Sequence, residues 1–189
     1  SIKAFDAAGN ISNASNNVAV KTLAGTPPPT PTTSVVFMNE IHYDNAGTDV
    51  GEGVEIAGTA GTDLTGWSII PYNGNGGASY TPAGSLSGII PNQSNGFGTV
   101  FVSINGLQNG APDGLALVNN LGNVIQFLSY EGIFAATNGP ASGITSTNIG
   151  VSEIGTESIG LSLQLKGSGN QYSDFTWQTS VASTYGNIN

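Results

Sequence analysis

Residues 35–67 read VVFMNEIHYDNAGTDVGEGVEIAGTAGTDLTGW. An apolar run opens at Val35 and a polar loop follows Tyr43. A second apolar run returns at Val54, and the Leu64-Thr65-Gly66 turn delivers Trp67. Short apolar runs bounded by Gly, Asn and Asp read as strands rather than helices. Val35–Ile41 begins without polar alternation, as a strand buried on both faces does. Six of the chain's twelve acids lie in this stretch: Glu40, Asp44, Asp49, Glu52, Glu55 and Asp63.

The same pattern continues downstream. Trp67–Tyr72, Thr99–Ile104, Leu115–Val118, Val124–Tyr130, Leu161–Leu165 and Asp174–Gln178 read as further strands. Leu161, Leu163 and Leu165 share one face, and so do Phe175 and Trp177. Six Asn-Gly pairs, at Asn73, Asn75, Asn95, Asn105, Asn109 and Asn138, punctuate the chain. Both residues of such a pair tolerate the positive φ that tight turns need. Residues 131–160 are rich in Gly, Ser and Thr with sparse aliphatics (Ile144, Ile149, Val151, Ile154), which predicts a long ordered loop. Many short strands separated by such turns predict an all-β sandwich or barrel.

Upstream, residues 1–23 (SIKAFDAAGNISNASNNVAVKTL) read as two strands around a turn, with Ile2, Ala4 and Ala7 alternating before it and Val18 and Val20 after it. Three readings of this hairpin stand open. It resembles the last two strands of a fibronectin type III domain, it belongs to the main domain, or it donates a strand to a neighbouring copy. Residues 24–34, AGTPPPTPTTS, hold four prolines within five positions and predict a semi-rigid spacer. The chain opens on a strand-like pattern at Ser1, so we expect a piece of a longer protein or a processed product.

Composition narrows the function. The 189 residues allow one sizeable domain plus an appendage. With no cysteine, disulfides, thiolate catalysis and Cys-based zinc sites are excluded. No apolar run is long enough to cross a membrane as a helix. The only basic residues are Lys3, Lys21 and Lys166, arginine is missing, and the net charge is −9. Phosphate backbones are held largely by Lys and Arg, so direct nucleic-acid binding would need bridging divalent cations or a neighbouring domain.

The ordered motifs carry a family likeness. Asn39-Glu40-Ile41, Val54-Glu55-Ile56 and Asp63-Leu64-Thr65-Gly66-Trp67 together resemble the opening of a lamin-tail domain. Gly114-Leu115-Ala116-Leu117-Val118 and Val124-Ile125-Gln126-Phe127-Leu128 match its central pattern. Residues 177–189, WQTSVASTYGNIN, resemble its closing signature, with Tyr185 where a proline is common. The likeness covers about residues 35–189 and implies an immunoglobulin-like β-sandwich. GEGVEIAG (51–58) and FLSYEG (127–132) resemble a bacterial subgroup found in secreted multi-domain proteins, often beside endonuclease or phosphoesterase domains and fibronectin type III repeats. The family has no established catalytic residues. Asn39, Glu40, Gly66 and Trp67 carry over only as signature positions.

Four constellations could carry chemistry. Asp44, Asn45, Asp49, Glu52 and Glu55 offer oxygens on a glycine-bearing loop, as Ca²⁺ requires, although the spacing is not an EF-hand. A solvated acidic loop is the simpler alternative. Glu40, His42 and Asp44 alternate on one strand face and could ligate a transition metal. His42 is the only histidine, and no Gly-x-Ser-x-Gly elbow accompanies it for a nucleophilic triad. Glu131 with Glu153, or Glu40 with Glu55, could form a glycosidase pair, but no spacing selects either. Among the aromatics Trp67, Tyr72, Tyr80, Tyr130, Phe175 and Trp177, the tryptophans read as core. Tyr72 and Tyr80 flank the 73–77 loop and read as the exposed candidates for sugar binding.

The residue pattern therefore predicts an all-β sandwich over residues 35–189, preceded by a short hairpin and a Pro-rich linker, and the resemblance implies that the sandwich is immunoglobulin-like. The resemblance further implies a non-catalytic module of a secreted or cell-surface bacterial protein that positions a neighbouring nuclease-type hydrolase. The alternatives are a structural or adhesive surface module, filament-forming through strand exchange by residues 1–23, and a carbohydrate-binding module. The expected partners are neighbouring domains of the same polypeptide.

Overall fold

The computed structural model describes residues 6–11 and 34–189. Two units divide the chain, Ser1–Thr33 and Ser34–Asn189. In the first, Asp6 Oδ1 accepts the amides of Ala8 and Asn10, both at 2.9 Å, and Gly9 takes a φ of 84°. This is the expected turn. The predicted strands on either side of it and the Pro-rich spacer lie outside the described residues, Ser34 apart.

The second unit runs β1 (Val36–His42), β2 (Gly53–Thr59), β3 (Ser68–Asn73), β4 (Ala78–Ser79), β5 (Gly84–Ser85) and β6 (Phe97–Ser103). It continues with β7 (Asp113–Val118), β8 (Val124–Tyr130), β9 (Thr147–Asn148), β10 (Leu161–Gly167), a single 3₁₀ turn at Tyr172–Asp174, and β11 (Phe175–Ala182). One sheet has the order β11-β10-β1-β2-β6. The other runs β4-β3-β7-β8-β9, with β5 also on β3. All pairings are antiparallel except β8 with β9.

The two sheets close on one apolar layer. Met38, Ile41, Val54, Ile56 and Leu163 of the first sheet pack in one cluster with Ile69, Leu115, Leu117 and Leu128 of the second. Every residue of β1 is buried, as its sequence predicts for a strand covered on both faces. Its ladder slips at Asn39: Met38 pairs with Ile56, Glu40 with Glu55, and the extra residue forms a bulge. The Met38 amide at this slip donates to Gln126 Oε1 of the facing sheet at 2.8 Å.

The turns divide by chemistry. Asn95-Gly96 is a two-residue hairpin with φ of 48° and 82°, flanked by reciprocal Ser94–Phe97 backbone bonds. Gly74 and Gly110 stay out of the left-handed region. Their amides instead donate to the two oxygens of buried Asp113, at 3.1 and 3.0 Å. Residues 131–160 form the predicted long loop, broken by the two-residue β9. That loop also has a packing role, since Ala136 and Ala141 join Tyr72, Ala116, Val118 and Phe127 in a second apolar cluster outside the β3–β7–β8 sheet.

Candidate functional site

The outer face of the five-stranded sheet carries carboxylates where an antiparallel sheet usually meets solvent. Glu40 lies opposite both Glu55 of β2 and Gln164 of β10. Both carboxylates are 0% exposed. A buried charge needs hydrogen-bond donors, and none of the three lysines is nearby in sequence. The C-terminal segment 184–189 supplies them. The Thr184 amide and hydroxyl donate to Glu40 at 2.9 and 2.7 Å, and Ser162 Oγ donates at 2.6 Å. The Gly186 amide donates to Glu55 Oε2 at 2.5 Å, and Asn39 Nδ2 to Glu55 Oε1 at 3.0 Å. Tyr185 stacks on Phe101 with ring centroids 3.9 Å apart, and Asn189 Nδ2 donates to the carbonyls of Asn39 and Leu165. Burial pushes the Glu55 carboxyl up to about 7, against the opposing bonds from Asn39 and Gly186.

A second buried group lies at the end of β1. His42, 2% exposed, places Nδ1 2.8 Å from Glu153 Oε1, and Nε2 3.1 Å from the Val50 carbonyl. Asn45 Oδ1 also faces Nε2 at 3.3 Å. Both ring nitrogens meet acceptors, so the geometry calls for the doubly protonated imidazolium. Burial alone would lower its pKa; the hydrogen bond and charge of Glu153 outweigh that and raise it. Glu153 Oε2 accepts the amides of Tyr43 and Asp44 at 2.7 and 2.9 Å. Tyr43 stacks on Tyr130 at 3.8 Å, and its hydroxyl accepts the Glu153 amide at 2.7 Å. This network pins Glu153 against the end of the first sheet.

The five candidate calcium ligands separate into different tasks. Asn45 Oδ1 accepts the Val50 amide at 3.0 Å, and its Nδ2 donates to the Ala46 and Thr48 carbonyls. Asp49 Oδ1 accepts the Asn45 amide at 3.1 Å. Asp44 stays beside Asp49; burial raises its pKa, Asn109 opposes this, and the Asp49 charge adds to it. Glu52 is buried and accepts the Gly106 amide at 2.7 Å. Glu55 belongs to the C-terminal clasp. Asp44, Asn45 and Asp49 thus share a loop that closes on its own backbone, whereas Glu52 and Glu55 are turned to other work. Among the described residues, no group of three His, Asp or Glu side chains is placed to hold a metal.

The remaining candidates are corrected by burial. Glu40 and His42 share the outer face, but Asp44 lies past the strand end. Glu40 with Glu55 is sealed beneath residues 184–186, and Glu153 is 0% exposed, so neither carboxylate pair lines an open cleft. Tyr72, expected at the surface, is 0% exposed: it packs edge-on to Phe127, and its hydroxyl accepts the Ala141 amide at 3.0 Å. The residues around the 73–77 loop pack under the 131–160 loop, which sequence periodicity could not reveal. Tyr80 is half-buried, its hydroxyl accepts the Gln108 amide at 2.8 Å, and burial pushes its pKa up to about 12. Trp177 is core as expected, and Trp67 is partly buried against the core.

An open groove of about 690 Å³ lies across one end of the outer face, lined by Phe37, Asn39, Phe97, Gln164, Lys166 and Phe175 among others. Ile188 and Asn189 of the C-terminal segment form part of its wall. Sequence reading did not find it, because its lining comes from β1, β6, β10, β11 and the chain end. The Asn95-Gly96 turn beside Phe97 was the one local signal. No known protein family, curated protein or solved structure matches the chain.

Proposed function

We propose that the chain is a non-catalytic extracellular module, of lamin-tail type, that positions or tethers a neighbouring nuclease-type hydrolase domain in a larger secreted or surface protein. One observation carries this reading. The groups best equipped for proton transfer, Glu40, Glu55, Glu153 and His42, are at most 2% exposed and already hydrogen-bonded. A general acid or base must come within hydrogen-bond reach of its substrate, and these four groups are buried behind protein. The net charge of −9 and the lack of arginine fit a module that leaves anionic substrates to its neighbour. The test is turnover of phosphodiester, phosphomonoester, ester and glycoside substrates by the purified chain with Mg²⁺, Ca²⁺, Mn²⁺ and Zn²⁺. We expect rates equal to buffer. Metal-dependent turnover lost in Glu40→Gln or His42→Ala overturns the reading.

A second reading, a structural surface module, draws on a sheet edge. Among the described residues β11 (FTWQTSVA) is an edge of the first sheet that carries neither a charge nor a proline, whereas Gln93 and Ser94 already bond the Phe97 and Thr99 amides on the β6 edge. Such an edge invites pairing with another chain. Concentration-dependent polymers abolished by Thr179→Pro would favour this reading over tethering; a monomer at all concentrations would remove it.

A further inference from the structure

We propose that the groove on the outer face binds a short, neutral oligosaccharide. The inference rests on the non-catalytic module reading and supplies it with a ligand class. The groove's volume of about 690 Å³ falls in the usual range of ligand cavities, roughly 300–1,000 Å³. Phe97 and Phe175 line it as half-buried rings, which leaves part of each ring for packing against the C–H face of a sugar. Asn95, Asn170 and Gln178 stand around them. Side-chain amides both donate and accept, as sugar hydroxyls do, so this lining matches a polyhydroxylated ligand in either direction.

Asn39 adds an independent observation. It is 5% exposed and lines the groove. Its Nδ2 donates to Glu55 Oε1 and to Asn189 Oδ1, which fixes the orientation of the amide. Its Oδ1 is left buried without a donor. A buried acceptor without a partner is uncommon and calls for one. A ligand hydroxyl arriving with a small shift of the Ile188–Asn189 wall would supply it.

Charge selects a neutral ligand. No aspartate or glutamate lines the groove, although the chain carries twelve acids. Glu40 and Glu55 lie close by but are closed off by residues 184–186. Among the described residues Lys166 is the only cation in the lining, too little to hold a polyanion against a net charge of −9.

The test is calorimetric titration of the full chain with cello-, xylo-, manno-, malto- and chito-oligosaccharides, with hyaluronan and pectate oligomers as anionic probes. We expect at least one neutral series to bind, and Phe97→Ala and Phe175→Ala each to weaken it by about tenfold or more. Leu121→Ser, in the distant β7–β8 turn, should leave affinity unchanged. Melting curves establish that each variant is folded. Because Phe175 also packs on Phe37, Gln178→Trp at the groove serves as a second variant and should block binding. No binding across the neutral series, binding of the anionic probes alone, or affinity unchanged in both Phe97→Ala and Gln178→Trp overturns the proposal. Absent binding without turnover removes the groove and leaves the module reading intact, whereas cleavage of a probe removes the module reading itself.

Discussion

Glu40 and Glu55 are register partners across β1 and β2, both wholly buried, and backbone amides and hydroxyls rather than cations satisfy them. The closing residues of the chain hold much of this arrangement. Segment 184–189 fastens to the sheet by adding its Thr184 and Gly186 donors to those that Ser162 and Asn39 already supply.

Thr184→Val removes the hydroxyl that donates to Glu40 Oε2 while keeping the side-chain shape. Leaving a buried acceptor short of a donor costs about 1–3 kcal/mol. Deleting residues 184–189 removes the Thr184 and Gly186 donors together and should cost more than the point change. Urea unfolding measures both. Equal stability of the deletion and the parent chain would show that the clasp contributes nothing.

The pH dependence has a definite sign. Burial raises the folded-state pKa of Glu55 from 4.5 to about 7, so the native state binds that proton more tightly than the unfolded chain does. Its stability contribution is complete below pH 4.5 and is lost as pH rises through about 7, a change on the order of 3 kcal/mol. His42 is also raised, so its contribution is present below 6.5 and fades above that value. Asp44, Asp113 and Glu131, each raised chiefly by burial, act in the same direction. We expect thermal stability to be greater near pH 5 than near pH 8, with a shallower slope in Glu55→Gln. A maximum at pH 8 would reverse the assignment.

His42 and Glu153 form a buried ion pair. Removing one partner of such a pair typically costs about 3–5 kcal/mol. We expect His42→Phe to fall near the lower end, because the Tyr43 and Asp44 amides still satisfy Glu153 Oε2. The double variant His42→Phe/Glu153→Gln should be less damaging than the sum of the single changes. Strict additivity in a double-mutant cycle would mean the two side chains do not interact.

The dispersal of the 44–55 oxygens bears on metal binding. Glu52 Oε2 is turned to the Gly106 amide and Glu55 to Gly186, away from Asp44 and Asp49, so Ca²⁺ returned to EDTA-treated protein is expected to leave the unfolding midpoint unchanged. Specific binding would raise it, by about 2.7 kcal/mol at a hundredfold excess over Kd. A Ca²⁺-selective rise lost in Asp49→Asn would restore the loop as a metal site.

Strand positions were legible because alternation and turn residues are local signals. Val124–Tyr130 is matched residue for residue, and Val36–His42 is shifted by one residue at each end from the reading of Val35–Ile41. What the acids do was not legible. Glu40 and Glu55 read as a paper catalytic pair, and only the fold shows residues 184–186, about 130 positions from Glu55, lying over them. Glu153 sits in a Gly, Ser and Thr stretch with no periodicity to place it, yet it meets His42 from 111 residues away. Tyr72 misled for a related reason: its neighbours in sequence are turn residues, while its neighbours in space are Phe127 and Ala141.

The most direct measurement is native-state hydrogen exchange at the Thr184 and Gly186 amides. Both lie in the irregular segment that follows β11, and both donate to buried carboxylates. We expect protection close to that of Ile41 and Val54 in the core strands, falling as pH is raised through 7. Exchange at the rate of a free chain end would contradict the claim that the acids serve the clasp, and would return Glu40 and Glu55 to solvent as candidates for chemistry.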